Sequence, residues 1–113
     1  MAFSEKLAAR VRKLLGRRRS VSEKQMFGGL AFLLRGNMCC GVHGEELIIR
    51  LAPEETDAAL AEQGARIFDL TGRAMKGWIL VGPRGTATAP ALRRWVRIAV
   101  GYAESLPVKR AGA

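Results

Sequence analysis

The chain has 113 residues, of which 49% are hydrophobic and 26% are charged, and its formal net charge at pH 7 is +9. These values are typical of one folded domain and exclude a disordered chain, which has few apolar residues and a high charge density. Apolar runs are only a few residues long, far short of the roughly 20 that a membrane helix needs, so no transmembrane segment is expected.

Apolar residues in the first segment recur at spacings of four, four and three, at Phe3, Leu7, Val11 and Leu14. This period predicts an amphipathic helix over about 4–16, ended by Gly16. A basic stripe follows the same period, at Lys6, Arg10, Lys13 and Arg17. The run Arg17–Arg19 is expected to be a solvated connector, and the capping-type pattern from Ser22 to Gln25 indicates one helical turn.

Short apolar runs replace the helical period from residue 26 onward. They cover Leu30–Leu34, Met38–Val42 and Leu47–Leu51, and glycine-containing turns separate them, which predicts a three-stranded antiparallel meander. Pro53 and the carboxylates that follow it suit the start of a second helix over about 53–63.

Two further strand segments and a helix complete the predicted elements. Ile67–Asp69 is a short extended piece, and Trp78–Val81 is a strand ended by a Gly-Pro turn. Apolar residues at spacings of four and three then predict a third helix over about 89–105. Pro107 ends that helix, and residues 108–113 are expected to form a tail.

The sequence carries no residue set that is typical of catalysis, metal binding or export. His43 is the only histidine, whereas zinc sites and nucleophile–base pairs need convergent ligands. No phosphate-loop or dinucleotide-binding glycine pattern occurs. Charges interrupt the apolar positions near the N-terminus, which excludes the apolar core of a signal peptide. We therefore expect a non-enzymatic cytoplasmic protein with no cofactor, no metal and no membrane partner.

The only two cysteines, Cys39 and Cys40, are adjacent. A disulfide between neighbours would strain both the bridge and the peptide between them, so we expect two thiols in a reducing compartment. Successive side chains of a strand point to opposite faces, so one thiol is expected in the core and the other at the surface.

Basic residues are concentrated near the N-terminus: residues 1–24 hold eight of them against two acidic ones, while residues 45–62 hold six acidic ones against one arginine. A glycine-rich segment over 71–78 adds two cations and a tryptophan, which can hold phosphate and stack a base. A third cluster is Arg93, Arg94 and Arg97. A solvated charged face is the alternative for each cluster. The predicted contacts with a partner or a nucleic acid are Arg10, Lys13, Arg17, Arg18, Arg19, Arg73, Lys76 and Trp78.

Three ordered motifs, Met26–Phe32, Gly36–Val42 and Thr71–Gly77, resemble the N-terminal domain of the TfoX/Sxy family. The resemblance covers roughly 5–107. It implies a two-layer α+β domain of order α-β(3)-α-β(2)-α with a mainly antiparallel sheet, similar to the secretion-chaperone-like fold, in which dimers are common. Full-length regulators of this kind carry a further C-terminal helical domain, so the expectation is a stand-alone N-terminal domain over 1–113.

Family members are linked to the regulation of competence genes as transcriptional co-activators, and no enzymatic activity is attributed to this domain. The first hypothesis is therefore a regulatory module that binds a protein of the transcription apparatus or another regulator through the sheet face or the glycine-rich turn, with a homodimer also implied by the fold. The second is direct nucleic-acid binding through the basic N-terminal helix and the turn with Arg73 and Lys76. The third is a small-molecule sensor with Arg73, Lys76 and Trp78 at the mouth of its site.

Overall fold

A computed structural model gives the fold of the chain and describes residues 3–16, 20–26, 28–69, 72 and 74–109. In chain order, the helices and strands within these ranges are α1 (Glu5–Leu15), β1 (Val21–Met26), β2 (Gly29–Leu34), β3 (Asn37–His43), β4 (Glu46–Arg50), α2 (Thr56–Leu60), β5 (Ala65–Phe68), β6 (Met75–Val81), α3 (Pro83–Thr86) and α4 (Ala89–Glu104).

The two long helices begin at side-chain caps. The Ser4 hydroxyl accepts a hydrogen bond from the backbone N–H of Leu7 at 3.1 Å, and the Thr88 hydroxyl accepts one from Ala91 at 3.2 Å. Such caps satisfy N–H groups that the first helical turn leaves unpaired. Gly16, with φ of 68°, ends α1 in a backbone conformation that favours glycine. The first and third predicted helices are thereby confirmed.

The predicted second helix is shorter than its sequence pattern indicated. A single 3₁₀ turn over Pro53–Glu55 leads into α2, which ends at Leu60. The residues between α2 and β5 turn instead of continuing the helix, and Gly64 adopts a φ of 82° there.

The sheet has six strands in the order β1-β2-β3-β4-β6-β5, and every neighbouring pair is antiparallel. The α+β fold class with an antiparallel sheet is thus confirmed, although four strands instead of three precede α2 and a short helix, α3, is added before α4. The meander predicted from three apolar runs corresponds to β2, β3 and β4. β6 then pairs with β4, and β5 takes the outer position beside β6.

One strand lies where the sequence indicated a helical turn. β1 pairs with β2 along its whole length, from Val21 opposite Leu34 to Met26 opposite Gly29. Only Val21 is half-buried in β1, and the other five residues are exposed. An edge strand of this kind lacks the alternation of apolar and polar residues by which strands are predicted, so its pairing could not be read from the sequence.

Apolar side chains pack on both faces of the sheet. The main core lies between the sheet and the helices α1 and α4, and its largest fully buried side chains include Trp95, Phe32 and Ile49. A smaller cluster on the opposite face consists of Ile48, Phe68 and Leu80 with half-buried Met38, Met75 and Trp78.

The expectation of one buried and one surface cysteine is wrong. Cys39 is 1% exposed and Cys40 is 0% exposed, and both belong to the main core. Strict alternation fails in this region because the β2–β3 register shifts between Phe32 and Leu33, and such a bulge changes the direction of neighbouring side chains.

The segment after α4 packs against the β2–β3 turn. The Asn37 side-chain amide donates to the Pro107 carbonyl at 2.7 Å, and the Lys109 N–H donates to the Arg35 carbonyl at 2.9 Å. The first two residues of the predicted tail are therefore held, while residues 110–113 lie outside the described ranges. Within the described part of the chain, no helix has the length and apolar character to span a membrane.

Candidate functional site

One side of α1 packs against the sheet, and the helix also carries several basic residues. Its buried residues are Leu7, Ala8, Val11 and Leu15. Because a helical turn takes 3.6 residues, Arg10 lies at the margin of this apolar side, while Lys6 and Lys13 lie on the exposed side of the helix. Arg10 donates to a backbone carbonyl of α3, and Lys13 lines a groove together with residues of α4.

α4 carries two exposed cations above buried valines. Arg93 and Arg97 are four residues apart and exposed, so they lie on one helix face about 6 Å apart along the axis. Val96 is 3% exposed and Val100 is 7% exposed, and both pack in the main core. The two arginines and the two valines are therefore each separated by about one helical turn.

A groove of about 340 Å³ separates the two helices, and it is lined by Lys13, Leu14, Arg93, Val96, Arg97 and Val100. We call it the α1–α4 groove. The valines and half-buried Leu14 form its apolar floor, while the exposed cations Lys13, Arg93 and Arg97 form its rim. The methylene stems of long cationic side chains add apolar surface to such a wall while the charges stay in water.

The rim cations carry no ion pair within the described ranges. The ion pairs of the described residues are Arg12–Glu23, Arg66–Glu46, Arg66–Asp69 and Arg94–Glu62. All ten Asp and Glu residues of the chain are described. No described carboxylate therefore pairs directly with a rim cation of the α1–α4 groove.

The structure separates the predicted arginine cluster of α4 into two groups. Arg94 donates to both carboxylate oxygens of Glu62, and its guanidinium lies 4.9 Å from the ring centroid of Trp95. Arg93 and Arg97, by contrast, point into the groove rim. Arg94 is therefore engaged within the fold, and the other two are available to a ligand.

Arg10 forms a hydrogen bond within the fold and is only partly available to a ligand. It is half-buried, and its Nη2 donates to the backbone carbonyl of Thr86 at 2.8 Å. It also lines a second recess, of about 260 Å³, together with Lys6 and Glu45. This contact ties α1 to the end of α3, and the nearby carboxylate of Glu45 reduces the positive charge of that recess.

Lys76 and Trp78 lie on β6, away from the α1–α4 groove. Lys76 is exposed and Trp78 is half-buried in the small cluster on the opposite sheet face. The Arg50 guanidinium lies 5.1 Å from the Trp78 ring centroid, and the Phe68 ring centroid is 5.8 Å away. The predicted contact residues are thus divided between two faces of the molecule.

Arg17, Arg18, Arg19 and Arg73 lie outside the described residues, so their predicted roles stay predictions. The sequence did indicate Lys13, Arg93 and Arg97, but it did not indicate that one helix from each end of the chain would join them over an apolar floor. Among the described residues, no group of three His, Cys, Asp or Glu side chains is placed to hold a metal ion.

A comparison with known protein families finds one match for the chain. The profile of the TfoX N-terminal domain matches residues 13–103. The chain belongs to the TfoX N-terminal domain family. No curated protein and no solved structure matched the chain. The match begins at Lys13 and ends in the last turn of α4, so every residue of the α1–α4 groove lies within the TfoX N-terminal domain, and membership supports a TfoX-like regulatory module.

Proposed function

We propose that this chain is a non-enzymatic regulatory module that binds a protein partner through the α1–α4 groove. The observation that carries the proposal is that three cations, none paired with a described carboxylate, surround half-buried Leu14 at one groove, above the nearly buried Val96 and Val100. Protein interfaces typically bury an apolar centre inside a polar rim. From the family, the partner we propose is a component of the transcription apparatus or another regulator.

Direct nucleic-acid binding is the competing function, and the net charge of +9 favours it. Phosphate groups need cations but gain nothing from an apolar floor. Trp78 also has Arg50 near one side of its ring and Phe68 beside it, which makes it a poor platform for base stacking. For these reasons we rank protein binding first.

Affinity purification from the lysate of the native host tests the proposal, with and without nuclease and at moderate salt. The groove variant carries Arg93→Glu and Arg97→Glu. The matched control carries Lys24→Glu and Arg84→Glu, which changes the net charge equally at two exposed positions outside the groove.

The proposal expects a protein that the wild type and the control capture equally, that survives nuclease, and that the groove variant loses at least ten-fold. A partner that disappears on nuclease treatment would favour the nucleic-acid function instead. A partner that the groove variant retains would show that another surface binds it.

A further inference from the structure

The geometry points to an acidic amphipathic helix of the partner as the occupant of the α1–α4 groove, an inference that rests on the proposed function. On α4, cations and apolar residues alternate at one-turn intervals: Arg93 and Arg97 on the rim, Val96 and Val100 on the floor. A helix laid along α4 repeats its own side chains with the same period. Carboxylates four residues apart on such a helix can therefore face both arginines.

The charge arrangement on α4 favours an acidic occupant. Like charges four residues apart on a helix repel each other and destabilise it. Arg93 and Arg97 stand in this relation, and neither forms an ion pair with a described carboxylate. Carboxylates of a ligand relieve that repulsion, and arginine binds carboxylate oxygens with paired hydrogen bonds.

The α1 side of the groove also suits an acidic amphipathic helix. Lys13 places a third cation across the groove from α4, and Leu14 adds an apolar side chain beside the valines. A bound helix therefore needs apolar side chains that face Leu14, with carboxylates on both sides of them that face the rim cations. Laying the apolar face of an amphipathic helix into a groove is a recurring mode of peptide recognition.

The acidic segment of a second copy is a less suitable occupant. Glu54, Glu55 and Asp57 are exposed at the start of α2, but α2 itself has only five residues. Docking of this segment into the groove of another copy joins two different surfaces. Such head-to-tail contacts produce closed rings or open filaments, so the test below includes a measurement of self-association.

Fluorescence anisotropy with a labelled 16-residue peptide tests the inference. The peptide contains Glu, Leu and Ala, with leucines along one helix face and glutamates at four-residue spacing on both sides of them. A second peptide has the same composition in an order that destroys the amphipathic pattern. A 20-base-pair DNA duplex is the third probe, and sedimentation of the protein alone measures self-association.

We expect the patterned peptide to bind at least ten-fold more tightly than the reordered one. Arg93→Glu with Arg97→Glu should weaken this binding at least ten-fold, and Leu14→Gln should weaken it several-fold through the apolar floor. Lys24→Glu with Arg84→Glu should change it less than two-fold. Circular dichroism and thermal unfolding of each variant confirm that it is folded.

Equal binding of the two peptides would overturn the inference, because charge alone would then suffice. Tighter binding of the DNA duplex than of the patterned peptide would overturn it in favour of a nucleic acid, and concentration-dependent assembly lost in the groove variant would assign the groove to a second copy. If the lysate partner still depends on the groove while neither peptide binds, the inference fails and the proposed function stands. If the lysate partner does not depend on the groove and neither peptide binds, both the proposed function and this inference are wrong.

Discussion

Two glycines within helices differ in the space available for a side chain. Gly85 lies in α3, where an added Cβ would meet the backbone carbonyl oxygen of Gln63 at 2.6 Å and the buried side chain of Val81. Gly101 lies on the exposed side of α4, and an added Cβ there would meet nothing within 4 Å. The first glycine lets α3 approach the loop before β5, and the second has no such role.

Substituting alanine at these positions should therefore change stability in opposite directions. Gly85→Ala forces backbone or core side chains to move, at a cost of about 1–3 kcal/mol in the free energy of unfolding. Gly101→Ala should add roughly 0.5–1 kcal/mol, because alanine loses less conformational freedom in a helix. Urea unfolding measures both, and destabilisation by both variants would contradict the assigned environments.

At the scale of elements, one ion pair joins α1 to the edge strand β1. Arg12 Nε donates to Glu23 Oε2 at 2.6 Å, and Nη2 donates to Oε1 at 2.9 Å. These hydrogen bonds lower the pKa of the Glu23 carboxyl below its ordinary value, against the opposing effect of partial burial. β1 pairs only with β2 in the sheet, so this contact is an additional tie between the strand and the helical layer.

The lowered pKa gives a pH dependence with a definite sign. The contribution of Glu23 to stability is complete above the pKa of an unfolded Glu, about 4.3, and is lost as the pH falls through its folded value. Glu23→Gln should cost at most about 1 kcal/mol at pH 7, because the pair is largely exposed, and the difference from wild type should vanish in stronger acid. Urea unfolding across this pH range measures the difference.

Glu54→Gln is the matched control for this experiment, since Glu54 is exposed and forms no ion pair with a described cation. At pH 7 its free energy of unfolding should differ from that of the wild type by less than that of Glu23→Gln does. A Glu23→Gln effect that persisted unchanged below the folded pKa of Glu23 would contradict the assignment to the carboxylate charge.

At the scale of the whole molecule, the thiols report on the integrity of the core. Cys39 and Cys40 lie on β3, between β2 and β4, with no appreciable exposure. Their mutual hydrogen bond and burial raise the pKa of the Cys40 thiol well above its ordinary value. Since the thiolate is the reactive form, the raised pKa of Cys40 disfavours its reaction in the folded state, and burial keeps reagents from both thiols.

A thiol reagent such as dithionitrobenzoate should therefore react with both cysteines only on unfolding. We expect less than 0.1 equivalent to react within minutes in native buffer, and two equivalents per chain in denaturant. The denaturant dependence of the reaction should match the unfolding transition seen by circular dichroism. Rapid reaction of one equivalent in native buffer would contradict the burial of both thiols.

The sequence predicted those parts of the fold whose signal is local. α1 and α4 have a clear helical period, and Gly16 and Pro107 mark where they end, so their bounds were predicted to within one or two residues. β1 has no apolar alternation, and its pairing depends entirely on β2. The α1–α4 groove joins Lys13 to Arg97 across most of the chain. A contact of that kind depends on tertiary packing, and no local pattern in the sequence encodes it.

The polar character of β1 has a consequence for contact between copies of this protein. A strand at a sheet edge offers unpaired backbone groups to the edge of another sheet. A symmetric antiparallel junction of two β1 strands, centred on Glu23 or on Lys24, sets that residue opposite its own copy, and directly opposed like charges are unfavourable. These two junctions are thus disfavoured by the same charged side chains that leave β1 without apolar alternation.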